Sequence, residues 1–136
     1  MKHTTDPTAI YRAFQALPGS DYIASEFAIA EITSWVRKLR PQRVLEVGAG
    51  IGTLTFALCS LRLEMSYELT SVEWNEFCQV AMRENLTAQY GEYRHVASMD
   101  ELKGCAPFDV VIVDGGEQDP RFVSRIALGG TILIEG

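Results

Sequence analysis

Three glycines at alternating positions mark the part of the sequence with the clearest chemical meaning. They lie in residues 46–53, which read EVGAGIGT between an apolar run and a helical pattern. Glycine lets the backbone approach a ligand closely and adopts positive φ at little cost. A helix that starts at this loop directs its free N–H groups and its dipole toward that ligand. The loop therefore predicts a binding site at a strand-to-helix corner.

The spacing of the glycines distinguishes between two kinds of nucleotide site. Dinucleotide-binding loops read G-x-G-x-x-G and hold a pyrophosphate at the start of the helix. Here the order is G-x-G-x-G, and the carboxylate of Glu46 precedes it. A carboxylate at this point repels a pyrophosphate but attracts an amine or a sulfonium group. The spacing thus disfavours a nicotinamide-dependent oxidoreductase, which remains the lowest-ranked alternative.

A second carboxylate stands at the end of the next predicted strand. Glu73 follows Gly52 by 21 residues, and a carboxylate there can accept hydrogen bonds from two adjacent ribose hydroxyls. NAD enzymes also use such a contact, so Glu73 is informative only together with the loop. The alternative interpretation is a solvated glutamate followed by Trp74 in the core.

With Glu46, Gly48, Gly50 and Gly52 all matching, the loop resembles motif I of the class I S-adenosylmethionine-dependent methyltransferases. The resemblance covers about residues 20–136. It implies that Glu73 binds the ribose, that Trp74 packs on the adenine, and that the cofactor S-adenosylmethionine leaves as S-adenosylhomocysteine. The implied function is methyl transfer to a small-molecule acceptor, with O-methylation favoured. The main alternative is a non-catalytic S-adenosylmethionine-binding or interaction module.

The resemblance assigns further residues to the site. Ser98 stands where the family often has an acidic residue for the adenine edge, with Asp100 two residues later, and an N-cap role is equally open. Thr53 either bonds the methionine carboxylate or simply begins a helix. The expected cofactor-binding residues are Glu46, Gly48, Ala49, Gly50, Gly52, Thr53, Glu73, Trp74, Ser98 and Asp114.

Asp114 ends the most apolar strand and is the predicted catalytic residue, because the resembling family has this position facing the transferred methyl group. In the metal-dependent members, similar to catechol and caffeoyl-CoA enzymes, it is a metal ligand, and an Asp-Asn pair ends the fifth strand. Here Glu135 and Gly136 stand in that place. A hard divalent cation needs several oxygen ligands, so a metal is not favoured. Asp114 otherwise orients the substrate or bonds the following loop, and His95 is interpreted as structural.

The elements that must position these residues alternate between helical and extended patterns, which predicts an α/β fold with a parallel sheet. Right-handed crossovers give a doubly wound, Rossmann-like sheet of order 3-2-1-4-5, with the ligand site between the first and fourth strands. Strands are expected at residues 43–47, 68–73, 93–96, 108–114 and 131–135. Helical segments are expected at residues 7–17, 20–39, 52–61, 75–90, 98–102 and 120–128.

The chain is expected to form a single domain with two parts. Residues 1–40 form an N-terminal helical segment that covers the cofactor site, and residues 41–136 form the S-adenosylmethionine-binding core. The long helix ending at Leu39 is expected to bury one apolar stripe, composed of Ile23, Phe27, Ala30, Ile32, Trp35, Val36 and Leu39. The C-terminal antiparallel strand pair of complete class I domains is expected to be missing. The fifth strand then forms an open edge, so we expect a homo-oligomer.

Composition restricts the partners and the compartment. The chain has 136 residues, 47% of them hydrophobic, and a net charge of −6, which indicates a globular domain without a broad basic surface for nucleic acid. The sequence has neither a signal-peptide pattern nor an apolar run of roughly 18 residues that would span a membrane. Cys59, Cys78 and Cys105 are too scattered for a disulfide framework or a zinc site. A cytoplasmic location is therefore expected.

Overall fold

The computed structural model describes residues 1–114 and 126–135. Its five strands form one sheet of order β3-β2-β1-β4-β5, and each neighbouring pair is parallel. The strands are β1 Arg43–Val47, β2 Glu68–Val72, β3 Arg94–Val96, β4 Phe108–Asp114 and β5 Ile126–Glu135. The predicted α/β class and strand order are confirmed.

Four α-helices in the described part of the chain precede or connect these strands. They are α1 Pro7–Gln15, α2 Glu26–Leu39, α3 Thr53–Leu61 and α4 Glu76–Asn85, with 3-10 turns at Ser20–Tyr22, Thr87–Gln89 and Met99–Leu102. The side chains of Asp6, Ser25 and Asn75 each accept a backbone N–H at the start of a helix, which explains where these helices begin. Within the described residues, no helix is long and apolar enough to cross a bilayer.

The beginning of the predicted long helix is wrong. Residues 20–22 form a 3-10 turn and Ile23 is extended. The helix starts only after Ser25, whose Oγ accepts the N–H of Ala28 at 3.0 Å. This later start leaves an extended segment between the 3-10 turn and α2.

The buried face of α2 also differs from the predicted apolar stripe. Ile32 and Val36 are buried as expected, but Phe27 is 75% exposed and Trp35 is 44% exposed. The helix instead turns Ala28, Ile29 and Thr33 toward the core. The predicted stripe is too wide because exposed aromatic side chains share the same spacing of three and four residues.

The C-terminal strand is longer than the sequence predicts. Most of the predicted helix at residues 120–128 lies outside the described residues, but residues 126–128 belong to β5. The pairing shifts register, because Phe108 is opposite Ile126 whereas Val110 is opposite Thr131. Gly129 has a φ of 80° within this irregular segment, a conformation that glycine adopts without strain.

The hydrophobic core lies in two clusters that correspond to the two faces of the sheet. On β1, Val44 belongs to the cluster with the helices α1 to α4, whereas Leu45 and Val47 belong to the second. This division follows the alternation of side chains along a strand. The parallel strands β1, β2 and β4 therefore bring their carboxyl ends to one edge of a rigid sheet, where the glycine loop emerges.

Candidate cofactor site

The glycine loop joins the end of β1 to α3, and its three glycines have different surroundings. Their φ values are all positive, at 90° for Gly48, 58° for Gly50 and 99° for Gly52. A Cβ on Gly48 would lie 1.9 Å from the carbonyl oxygen of Asp114, and one on Gly52 would lie 3.1 Å from Met82 on α4. A Cβ on Gly50 would meet no atom within 4 Å. Internal packing thus requires glycine at position 48, Gly52 combines a positive φ with close side-chain neighbours, and Gly50 borders open space.

Glu73 fastens this loop to the end of β2. Its Oε1 accepts the N–H of Gly50 at 2.6 Å, and its Oε2 accepts the N–H of Asn75 at 2.9 Å. The residue is only 5% exposed. An ionised carboxylate has about four lone-pair sites, so both oxygens retain the capacity to accept further hydrogen bonds from hydroxyl groups.

A cavity of about 200 Å³ lies over the loop, at the carboxyl ends of β1, β2 and β4. The ends of β1 and β4 are neighbours in the sheet, which is where the strand order places a ligand site. The lining brings together seven of the ten predicted cofactor-binding residues, namely Gly48, Ala49, Gly50, Thr53, Glu73, Trp74 and Asp114. The side chain of Trp74 is 45% exposed and forms part of the rim.

Thr53 lines this cavity and carries a buried hydroxyl group that no described protein atom satisfies. The residue is 3% exposed, and its Oγ1 has no hydrogen-bond partner. It is also the first residue of α3, where backbone N–H groups lack partners within the helix. A buried hydroxyl without a partner costs about 1–3 kcal/mol. A polar group bound at the start of α3 would remove that cost.

Glu46 lies beneath the loop and does not line the cavity. It is fully buried, and its Oε1 accepts hydrogen bonds from Thr55 Oγ1 at 2.6 Å and Ser71 Oγ at 2.7 Å. Burial raises the pKa of Glu46 to about 7, and the two hydrogen bonds limit that rise. The carboxyl group therefore connects β1, β2 and α3. It does not reach the cavity, so the structure shows no direct contact between Glu46 and a ligand's amine or sulfonium group.

Two other predicted residues also lie outside the cavity lining. Gly52 packs against α4, as described above. Ser98 forms a capping box with Glu101 at the start of the 3-10 turn Met99–Leu102, which matches the N-cap alternative. Asp100 belongs to the same turn and is likewise absent from the lining.

The N-terminal segment contributes lining residues that the sequence did not identify individually. They are Gly19, Tyr22, Ile23 and Ala24. Gly19 has a φ of 87°, and a Cβ there would lie 2.7 Å from the ring of Phe77 and 2.9 Å from Ile51. The Pro-Gly pair at residues 18–19 predicts only the end of a helix, because a contact with α4 leaves no local signal. Cys78 of α4 also lines the cavity without having been predicted.

Of the remaining polar candidates, one lines the cavity and one does not. Asp114 lines it, and its Cα partner on β5 is Glu135. His95 lies outside the lining, with its Nε2 3.2 Å from the carbonyl oxygen of Glu73. In the part of the chain that the structure describes, no group of three or more His, Cys, Asp and Glu residues could hold a metal ion.

Comparison with known sequences connects this arrangement to one family. The family model described as Protein-L-isoaspartate(D-aspartate) O-methyltransferase (PCMT) matches residues 4–134. A curated relative, the Protein-L-isoaspartate O-methyltransferase of Opitutus terrae, is 29% identical over 117 residues, which cover 82% of this chain and 48% of the relative. The chain thus spans about half the length of that relative.

Comparison with solved structures gives the same fold. A methyltransferase from Podospora anserina bound to S-adenosylhomocysteine has a TM-score of 0.79 at 18% identity, over 96% of this chain and 61% of its own. A putative caffeoyl-CoA O-methyltransferase from Staphylococcus aureus has a TM-score of 0.75 at 15% identity, over 98% of this chain and 66% of its own. These likenesses confirm the Rossmann-like fold of class I methyltransferases.

Proposed function

The chain belongs to the protein-L-isoaspartate(D-aspartate) O-methyltransferase family, and from this membership we propose that it is an S-adenosylmethionine-dependent O-methyltransferase. The observation that carries the proposal is the open space at Gly50 beside the carboxylate of Glu73. Bare backbone and an acceptor-rich carboxylate at the end of the neighbouring strand suit a nucleoside with two ribose hydroxyls.

The residues around the cavity fit the chemical groups of this cofactor. Glu73 would accept the ribose hydroxyls, and the exposed ring of Trp74 would pack on the adenine. The unsatisfied hydroxyl of Thr53 at the start of α3 would bond the methionine carboxylate. Ala49 and Gly50 would offer backbone at close range. When bound, the cofactor supplies an electrophilic methyl group on a sulfonium centre.

The protein's part in such a reaction is to position both reactants and, where the acceptor requires it, to remove a proton. Asp114 is the described carboxylate at the end of β4 that lines the same cavity. We assign Asp114 the task of orienting the acceptor oxygen. If the acceptor is a hydroxyl group, the same carboxylate would accept its proton.

Two classes of acceptor follow from this chemistry. The first is the carboxylate of an isoaspartyl residue in a protein, as the names of the family and of the curated relative suggest. A carboxylate is ionised at neutral pH, so it needs no base. The second is a hydroxyl group of a small molecule, and the position of Asp114 in the cavity favours it as a second candidate. We place the isoaspartyl carboxylate first because the sequence match supports it.

Calorimetry followed by methyl-transfer assays tests the proposal. We expect S-adenosylhomocysteine and S-adenosylmethionine to bind and NAD not to bind, and binding of NAD alone would refute the cofactor assignment. Labelled methyl transfer is then measured to an isoaspartyl peptide, to the same peptide with ordinary aspartate, and to a panel of phenols. Label on the isoaspartyl peptide alone supports the first acceptor, and label on phenols supports the second. Binding without any transfer would contradict the enzyme and favour a cofactor-binding module.

Magnesium and a chelator belong in the same assays. Asp114 and Glu135 are neighbours on β4 and β5, and two carboxylates supply only part of the oxygen shell of a divalent cation. We therefore expect turnover to persist in the chelator. Loss of turnover that magnesium restores would contradict a metal-independent reaction.

The remaining expectations about the whole protein also stay proposals. Residues 1–40 are proposed to cover the bound cofactor, which the lining residues Gly19 and Tyr22 support. A reducing, cytoplasmic compartment is proposed because Cys59, Cys78 and Cys105 are free thiols in the structure. Self-association is proposed through the edge of β5.

A further inference from the structure

A second cavity lies between α4 and the strand β3. This α4–β3 cleft has a volume of about 450 Å³ and shares no lining residue with the cofactor cavity. Its lining consists of Arg83, Leu86, Thr87, Tyr90, Gly91, Tyr93 and His95.

The lining combines one positively charged side chain with two tyrosine rings. Arg83 supplies the charge, His95 adds a polar ring, and the lining contains no Asp or Glu. Among the described residues, the arginines found in ion pairs are Arg37 and Arg43, so Arg83 has no such partner there. Burial raises the pKa of Tyr93, and the nearby guanidinium of Arg83 opposes that rise. Arg83 and Tyr93 line the same cleft, so one ligand in it could contact both side chains.

We propose that the α4–β3 cleft binds a small anion that carries an aromatic ring. The guanidinium of Arg83 suits a carboxylate or phosphate group, because its planar fork donates two parallel hydrogen bonds. The phenol rings of Tyr90 and Tyr93 suit an aromatic body by stacking or edge contacts. A cleft lined by an arginine and by no acidic residue is a local feature on a chain whose net charge is −6.

The cleft is linked to the cofactor cavity through His95. Its Nε2 lies 3.2 Å from the carbonyl oxygen of Glu73, and the Glu73 carboxylate holds the N–H of Gly50. A ligand that fixes the His95 ring in this orientation stabilises the backbone at Glu73. We therefore expect a ligand in the cleft to tighten adenosyl binding, and by reciprocity the reverse. This link rests on the proposed function, whereas binding in the cleft does not.

Titration of the cofactor-free protein with phenyl phosphate, benzoate and inorganic phosphate tests the cleft. We expect binding of phenyl phosphate or benzoate to saturate in the millimolar range or below. We expect Arg83→Gln to lower the affinity for that anion at least about tenfold. Arg37→Gln is the matched control, because this arginine pairs with Glu64 outside the cleft. Equal affinity of the original chain and Arg83→Gln, or no saturation by either aromatic anion, would overturn the proposal.

A second variant separates the ring from the charge. Tyr90 is 93% exposed, so Tyr90→Ala should leave the fold intact. We expect this variant to bind phenyl phosphate more weakly and inorganic phosphate with unchanged affinity. Unchanged affinity for phenyl phosphate would refute the proposed contact between Tyr90 and the aromatic ring.

A titration of S-adenosylhomocysteine with and without saturating phenyl phosphate tests the link to the cofactor cavity. Equal affinities would refute the link through His95, whereas failure of S-adenosylhomocysteine to bind at all would contradict the proposed function and leave the cleft standing.

Discussion

Glu46 shows how a residue that resembles a ligand contact can instead belong to the framework of a site. Its carboxyl group is completely buried and accepts hydrogen bonds from Thr55 on α3 and Ser71 on β2. Its second oxygen, Oε2, has no partner among the described protein atoms. Burial penalises the ionised form more than two hydroxyl donors can offset, which is why the pKa of Glu46 rises to about 7.

This burial predicts a pH-dependent stability. Because the pKa rises from its ordinary 4.5 to about 7 on folding, the folded chain holds this proton more tightly than the unfolded chain. The contribution of Glu46 to the free energy of unfolding is therefore highest below pH 4.5. It falls through the window up to about pH 7 and then stays low, with a total change on the order of 3 kcal/mol.

Urea unfolding of Glu46→Gln across this pH window measures that effect. The glutamine side chain is neutral at every pH, so we expect the variant to lack this decline and to gain stability relative to the original chain as the pH rises. Glu64→Gln serves as a control, because that carboxylate is about half exposed. If the free energies of unfolding of the original chain and of Glu46→Gln changed in parallel with pH, the raised pKa of Glu46 would be contradicted.

Glu73 is the residue on which the cofactor assignment depends most directly. Glu73→Gln removes the negative charge and replaces one acceptor oxygen by an amide that only donates. We expect the affinity for S-adenosylhomocysteine, measured by calorimetry, to fall at least about tenfold. Glu76→Gln, at an exposed position in the first turn of α4, is the control. Unchanged affinity in Glu73→Gln would remove its role as the ribose acceptor.

At the scale of elements, two glycines of the same loop have different tasks: Gly48 allows close packing, and Gly50 leaves space for a ligand. Gly48→Ala would place a methyl group 1.9 Å from the carbonyl oxygen of Asp114 and would force β1 and β4 apart, at a cost of about 3 kcal/mol or more. Gly50→Ala meets no atom within 4 Å, so it costs only the roughly 1–2 kcal/mol of a left-handed backbone.

Unfolding and calorimetry on these two variants test that separation. We expect Gly48→Ala to unfold at markedly lower urea concentration. We expect Gly50→Ala to remain folded but to bind S-adenosylhomocysteine more weakly, because its methyl group occupies space next to the loop. Equal stabilities of the two variants, or full affinity in Gly50→Ala, would contradict the assignment of Gly50 as the ligand-facing position.

The strands and the loop were predictable because their signals are local. Buried apolar runs such as residues 108–114 and the alternating glycines depend on few neighbours, and the strand order follows from the handedness of the crossovers. The start of α2 was not predictable in this way. Asp21 and Ser25 are both good N-caps, and the extended segment between them accompanies the close packing of Gly19 on Phe77 and Ile51.

Tertiary contacts also explain the other differences between the sequence expectations and the structure. Residues 126–130 contain Gly129 and Gly130, which locally indicate a helix end, but pairing with β4 makes them part of a strand. The burial of Glu46 depends on hydroxyl groups 9 and 25 residues away, and carboxylates are rarely buried. For the same reason the role of Ser98 at a 3-10 turn could not be separated from a ligand contact by sequence alone.

At the scale of the whole molecule, β5 forms one end of the sheet. Among the described residues it pairs with β4 on one side only. Ile132 and Ile134 are opposite Val111 and Val113 in the register, so they share a face with the second core cluster, yet they are 38% and 61% exposed. Residues 126–134 contain no charged residue and no proline. Apart from the register irregularity against β4 and the terminal Glu135, this edge therefore lacks the features that usually prevent pairing with another chain.

We therefore expect two copies to associate by antiparallel pairing of their β5 strands, which would extend the sheet and place a neighbouring strand beside the exposed isoleucines. Light scattering over a range of concentrations should show a mass that rises toward that of a dimer. Ile134→Lys should keep the chain monomeric, because it places a charge in the new contact. Leu63→Lys is the control, since Leu63 is 72% exposed and follows α3. A monomeric mass at every concentration would contradict pairing through β5. An equal fraction of dimer in Ile134→Lys and in the original chain would contradict it as well, because the introduced charge would then lie outside the contact.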